Sequence, residues 1–305
     1  AIQYVVIAFM AIALWIPAFV SGKATVGLDE PVTPIYNLVD RLLSGSAVAQ
    51  HIVAFVLLVF EALFFNAILV KNQIVGKVST MGAFVFVLLM SLTATQTSFS
   101  PFVFSVPFVL YAISNLFDTY LLPNPEMNLM KTGVSVALAS MCYFPNILLL
   151  AWIIIVLVVA KKGSLRFELL PVFGFLFVYF VFFVGVFLFG DFHALMHGYY
   201  DYFTAFHFTI EGFNLWDLIL LAILILPTVL MFLGSNNSSL EKTVSVRTKI
   251  SMTLVLTVFA VLTLFIGGNA LFNGMLFIVL SIIMSYVFYR FLLRSLDRKS
   301  GSAGM

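Results

Sequence analysis

The sequence predicts an all-α fold: a polytopic transmembrane bundle of about ten membrane helices, with one interfacial helix after the first span and both termini cytoplasmic. Three observations lead there. Hydrophobic residues make up 63% of the 305-residue chain and charged residues only 9%, where a soluble domain carries roughly a quarter. Mean hydropathy is +1.15, and the apolar residues come in runs that approach the roughly 20 residues needed to cross a bilayer. The alternating pattern of a membrane barrel strand is absent, and lipid offers no partner to an open backbone, so the spans are helices.

Ala1 opens the first apolar run with no charged leader or small-residue cleavage pattern, which predicts a retained first helix from about Tyr4 to Val20. A polar loop, SGKATVGLDEPVTP, follows it. The segment IYNLVDRLLSG then sets Ile35, Leu38, Val39 and Leu42 on one helical face and Asn37, Asp40 and Arg41 on another, the pattern of a helix lying in the interface plane. The second span covers about His51 to Val70, the third Thr80 to Ala94 and the fourth Phe102 to Phe117. From Gly133 to Ala160 the chain is apolar but is interrupted at Tyr143-Phe144-Pro145-Asn146. A proline inside a helix removes a hydrogen bond and clashes with the preceding turn, so two short helices are expected there. The remaining spans run from Leu169 to Phe189, Leu215 to Leu233, Ile250 to Ile266 and Leu271 to Phe291. No domain boundary interrupts them: residues 1–294 form one transmembrane domain and 295–305 a basic cytoplasmic tail.

Basic residues test the count. With ten spans and a cytoplasmic N-terminus, thirteen of the fifteen Lys and Arg fall on the cytoplasmic side, leaving only Lys23 and Arg41 outside. Reading Gly133 to Ala160 as one span would change the parity and place several basic loops outside. The same arrangement puts all four histidines on the outer side and predicts a multi-pass protein of the bacterial inner membrane. Cys142 is the sole cysteine, which excludes an intramolecular disulfide and a Cys-rich metal site. No nucleotide-binding glycine loop, haem pair or nucleic-acid feature is present.

Chemistry concentrates between Asp191 and Glu211, a stretch holding three of the four histidines and no Lys or Arg. His193 and His197, four apart, share a helical face, and Asp191 or Asp201 would complete an N/O site for a divalent metal. The alternative is an amphipathic surface segment with its aromatic groups at headgroup level. Asp29 and Glu30, adjacent carboxylates in the first outer loop, suit a general base or metal ligand, or else a helix cap. Glu61 is of a different kind. A carboxylate near mid-bilayer is costly unless paired, hydrated or neutral, so it marks either an ion site or a hydrogen bond to Asn66, His51 or another helix. At the start of the seventh span, Arg166 and Glu168 are placed to pair with each other.

Three segments, FNAILVKNQIVGK (Phe65 to Lys77), GVSVALASMCYFPNILLLAWIIIVLV (Gly133 to Val159) and LRFELLPVFGF (Leu165 to Phe175), resemble an uncharacterised multi-pass inner-membrane protein family of Bacteroidetes. Separately, GLDEP (Gly27 to Pro31), the interfacial segment Ile35 to Leu43 and the broken pair around Pro145 are similar to the polyprenyl-phosphate-sugar-dependent integral-membrane glycosyltransferases (GT-C type). That second likeness is one of arrangement; the chain is short and has no globular outer domain. It implies an enzyme acting on lipid-linked sugars at the outer face, with Asp29 or Glu30 as the catalytic or metal-binding acid. His51, Arg41 and His207 would bind substrate or lipid phosphate, and Asp191, His193, His197 and Asp201 a metal. The partners would then be membrane lipids, among them a polyprenyl-phosphate lipid. Two rival classes stand beside it: a non-catalytic subunit of a cell-envelope or secretion complex, with envelope protein partners, and an ion-coupled transporter using Glu61.

Overall fold

The computed structural model describes residues 2–21, 33–43, 46–75, 79–92, 97–119, 124–159, 165–204, 215–236, 244–266 and 274–302. All regular structure among them is helical: α1 (Ile2–Ser21), α2 (Pro34–Leu43), α3 (Ala47–Lys71), α4 (Met81–Met90), α5 (Pro101–Asp118), α6 (Glu126–Cys142), α7 (Leu148–Val159), α8 (Leu165–Phe189), α9 (Phe192–Thr204), α10 (Leu215–Asn236), α11 (Val244–Ile266) and α12 (Gly274–Ser302). A 3-10 turn, Phe144–Ile147, joins α6 to α7. Five segments are long and apolar enough to cross a membrane: Gln3–Val20, Ala47–Lys71, Pro101–Asp118, Leu165–Phe189 and Val246–Thr263. Shorter apolar helices are Met81–Met90, Phe144–Val159 and Gly274–Arg290. The bundle surface carries large apolar groups in the open, Phe173, Phe177, Phe180 and Phe187 along α8 among them. Water would penalise such a surface and lipid does not. The chain is a membrane protein.

Helix α6 lies at the centre, packed most extensively against α5 and α8. Its buried positions include Thr132, Gly133, Ser135, Ala137, Ala139 and Ser140, and small residues of this kind let helix backbones approach. A Cβ on Gly133 would overlap the backbone of Pro171 on α8, and one on Gly174 would overlap the Met130 carbonyl on α6. The hydroxyls are satisfied locally. Thr132 and Ser135 donate to carbonyls four residues back on α6, as Thr253, Thr257, Ser281 and Ser285 do on α11 and α12. Helix α12 packs against α4, α10 and α11, tying the last helix to the first half of the chain.

Several boundaries differ from those expected. The sixth helix begins at Glu126 directly after Pro125, giving 17 residues, or about 25 Å, rather than a short segment from Gly133. Helix α4 stops at Met90, short of the expected Ala94, and spans only about 15 Å over its 10 residues. The basic segment expected as a tail is helical through Ser302. Helix α3 ends in a turn that returns Ile74 N–H to the Leu69 carbonyl (3.0 Å) and Gln73 N–H to the Val70 carbonyl (3.1 Å). Gln73, at φ 58°, takes the left-handed position that glycine usually fills.

Candidate site at one end of the bundle

Hydrogen bonds and ion pairs sort the chain into two ends. At one, Lys71 Nζ donates to Asp118 Oδ2 (2.6 Å), Arg166 pairs with Glu126 (3.1 Å), and Thr80 donates to Gln3 (3.1 Å). The Arg166 partner corrects the expectation of Glu168. Residues two apart on a helix point to different faces, whereas Glu126 opens the neighbouring helix α6. Lys249 is buried at this end, within electrostatic reach of Asp118 and Lys71.

The opposite end gathers the candidate residues. His51, one turn into α3, donates from Nδ1 to the Thr97 carbonyl at 3.0 Å, because a carbonyl can only accept. That bond sets the tautomer and leaves Nε2 buried, with no partner among the described residues. Phe19 of α1 packs edge-on to the His51 ring at 5.9 Å. Helix α2 is seated beside it. Tyr36 donates to the Phe99 carbonyl (3.1 Å) and stacks on the Phe99 ring (5.2 Å), while Gln50 of α3 donates to Asp40 (3.4 Å). With Tyr36 buried, Leu38, Leu42 and Arg41 are left on the exposed side of α2.

The break between α6 and α7 lies at the same end. Tyr143 meets Phe102, the second residue of α5, edge-on at 5.6 Å. Asn146 donates to Ser105 Oγ of α5 (2.9 Å) and to the Ala139 carbonyl of α6 (3.3 Å), holding the interrupted backbone in place. Phe144 is clamped by Tyr199 (5.8 Å) and Tyr202 (5.0 Å) of α9. Burial, and to a lesser degree the neighbouring Tyr179, pushes the Tyr199 phenol above its ordinary value. A pair that sequence reading missed, Ser140 with Tyr179 (2.9 Å), joins α6 to α8 beneath this latch. A tyrosine inside an apolar run needs a partner for its hydroxyl, and that was the available signal.

Helix α9 turns its other face outward. His193, His197 and Asp201 are all exposed and follow each other at intervals of four. The two imidazoles stack at 5.0 Å with planes 15° apart. Ring nitrogens direct their lone pairs in the ring plane, so this pair must rotate before both could bind one ion. Asp191 accepts the Ala194 N–H at 3.0 Å and so caps α9. Asp201 lies one turn beyond His197 but about 12 Å along the helix from His193, and joins the former only. Among the described residues no three His, Cys, Asp or Glu form a metal-binding group. Asp29, Glu30 and His207 lie outside the described residues.

Glu61 belongs to neither end. It is fully buried on the inner face of α3, about 21 Å from the helix start and about 15 Å from its end. Neither carboxylate oxygen has a partner among the described residues. Asn66, a predicted partner, instead donates to the Ser79 carbonyl (3.2 Å) and accepts the Ala83 N–H (3.4 Å), holding the start of α4. Comparison of the chain with protein-family models, curated proteins and solved structures finds no match.

Proposed function

We propose that this is a ten-span protein of the bacterial inner membrane that acts at the outer interface on a lipid-linked sugar, as a polyprenyl-dependent glycosyltransferase does. Setting aside α2 and α9 from the twelve helices leaves ten. The sorting of contacts to alternate ends supports that parity. Both termini would then be cytoplasmic, and α2 would rest in the outer interface with Leu38 and Leu42 toward lipid. Reporter fusions after Lys162 and Asn237 should read cytoplasmic and one after Tyr200 periplasmic; the reverse at any position breaks the topology.

The observation that carries the functional reading is the placement of Arg41, His51, Asp191, His193, His197 and Asp201 at one end of the bundle, the end at which α2 begins. The loop from α1 to α2 holds Asp29 and Glu30. Under this reading one of the two carboxylates takes the acceptor hydroxyl proton. Arg41, on the exposed side of α2, receives the lipid phosphate, His51 holds the start of α3 through Thr97, and a divalent ion, if used, draws on His197 and Asp201. Native mass spectrometry of gently extracted protein should find a bound polyprenyl-phosphate lipid that Asp29→Asn with Glu30→Gln, or Arg41→Gln, depletes. Stoichiometric protein partners with no such lipid would replace the enzyme by a subunit of an envelope assembly.

Glu61 favours a second reading, an ion-coupled transporter. A carboxylate enclosed at mid-depth, with no partner among the described residues, costs several kcal/mol when charged and marks a candidate ion path. Proteoliposomes with a pH-sensitive dye would test it: flux equal in the wild type and Glu61→Gln removes this reading.

A further inference from the structure

We infer that the cleft between α7, α10 and α11 holds one chain of an anionic phospholipid whose phosphate sits on Arg247. The inference is independent of the site at the other end and rests only on the chain being a membrane protein. The cleft has a volume of about 740 Å³ and is walled by Ile155 of α7, Val229 and Phe232 of α10, and Val258, Phe259 and Leu262 of α11. A second recess of about 320 Å³ continues from it, sharing Val255 and reaching Arg247, Thr248 and Ser251. Among the α11 members of both recesses, Arg247, Ser251, Val255, Val258 and Leu262 recur at intervals of three and four, so they form a single stripe along one helix face. Arg247 and Leu262 are about 22 Å apart along that stripe, against about 15 Å for the hydrocarbon of one leaflet. The stripe is therefore deep enough to enclose a chain from headgroup level inward.

Polarity along the stripe gives the occupant its direction and charge. Between Val255 and Leu262 the lining is almost wholly apolar, and every hydroxyl or cation of α11 that it meets lies at the Arg247 end. Arg247 is exposed and forms no ion pair with a described residue, whereas Lys249, two residues on, is buried toward Asp118. The two cations of this turn thus have different tasks. Lys249 is buried within the bundle, and Arg247 is left to the lipid. A guanidinium matches a phosphate, to which it can donate two charge-assisted bonds at once. A zwitterionic headgroup brings its own cation to the same place and gains less.

The test is native mass spectrometry of the full chain, delipidated and titrated with phosphatidylglycerol or phosphatidylcholine. One phosphatidylglycerol should bind ahead of phosphatidylcholine, with Arg247→Gln weakening it about fivefold and Arg247→Lys retaining most of it. Val258→Trp, which fills the apolar cleft without touching a charge, should reduce occupancy by both lipids. Soluble glycerol phosphate should not compete, since it lacks the chain. Each variant is read alongside its melting temperature and elution profile, so that a misfolded protein is not scored. Wild-type phosphatidylglycerol binding by a folded Arg247→Gln, or by a folded Val258→Trp, overturns the assignment. Competition by glycerol phosphate would do the same.

Discussion

Replacing Gly133 with alanine tests whether α6 and α8 are held together by backbone proximity. The new methyl group would lie inside the van der Waals envelope of three backbone atoms of Pro171, its carbonyl oxygen, carbonyl carbon and Cα. Backbone cannot rotate aside as a side chain can, so the helices must separate and lose packing over their shared length. Overpacking of this kind costs typically 1–3 kcal/mol, and the rigid obstruction places Gly133→Ala near the upper end. Alanine returns at most about 1 kcal/mol through its higher helix propensity, leaving a net loss of about 1–2 kcal/mol. Gly185, on the same helix α8, supplies the control, because a Cβ there meets nothing within 4 Å. Gly185→Ala should therefore keep only the gain from propensity. Thermal unfolding of the two purified variants in one detergent gives the comparison: Gly133→Ala should melt several degrees below wild type and Gly185→Ala at or above it. A Gly133→Ala protein as stable as Gly185→Ala would refute the close approach of α6 and α8.

Four further outcomes follow from particular contacts. Gln73→Gly should stabilise the protein by up to about 1 kcal/mol in the same melt, since it removes a side chain from the left-handed position that ends α3. Asn146→Leu should cost about 1–2 kcal/mol by removing the bond to Ser105 of α5 and the second bond to the Ala139 carbonyl, which the Tyr143 N–H still occupies, and hydrogen exchange should rise first in residues 139–147. Phe144→Ala should release α9 locally, with exchange in residues 192–204 accelerating while α5 and α6 keep their protection. The raised Tyr199 phenol stabilises the fold fully below the ordinary tyrosine value near 10, and that contribution is lost as pH climbs from there toward the folded value. Tyr199→Phe should therefore lose stability less steeply than wild type above about pH 10.

The helical class was legible because lipid permits so little else: once the apolar runs are long and unpatterned, the backbone must close its own bonds. The break at Pro145 was legible for a similarly local reason. What local reasoning could not give is the length of α6. Lys131, Asn128 and Glu126 read as loop by composition, yet Glu126 faces Arg166 and Asn128 accepts the Thr132 hydroxyl, so the helix carries its polar first turns beside α8. The same limit explains Arg166. Its nearest acid in sequence is Glu168, but its acid in space arrives on another helix. Lys249 counts as one more cytoplasmic charge in the sequence and becomes a buried group, within electrostatic reach of the Lys71–Asp118 pair, only once the helices pack.

In α9 the sequence shows the shared face but not the packing that orients it. H-x-x-x-H predicts one shared face, and His193 and His197 do share it. Tyr199 and Tyr202 decide where that face points, because their packing on Phe144 turns the histidines outward. Asp191, picked out as a metal ligand, spends one oxygen on the α9 N-terminus, as an aspartate immediately before a helix commonly does. Capping and ligation make different demands on the same carboxylate, and this distinction can be measured. Asp191→Asn keeps the cap, since asparagine serves as well there, but removes the charge a divalent ion would need. Asp191→Ala removes both. If Asp191 acts only as a cap, the asparagine variant should match wild type in stability and in any response to added manganese or zinc, and the alanine variant should lose about 1 kcal/mol. If the asparagine variant, with its cap intact, abolished a metal-dependent rise in melting temperature, the carboxylate would be a ligand, and the stacked imidazoles would have to reorient toward it.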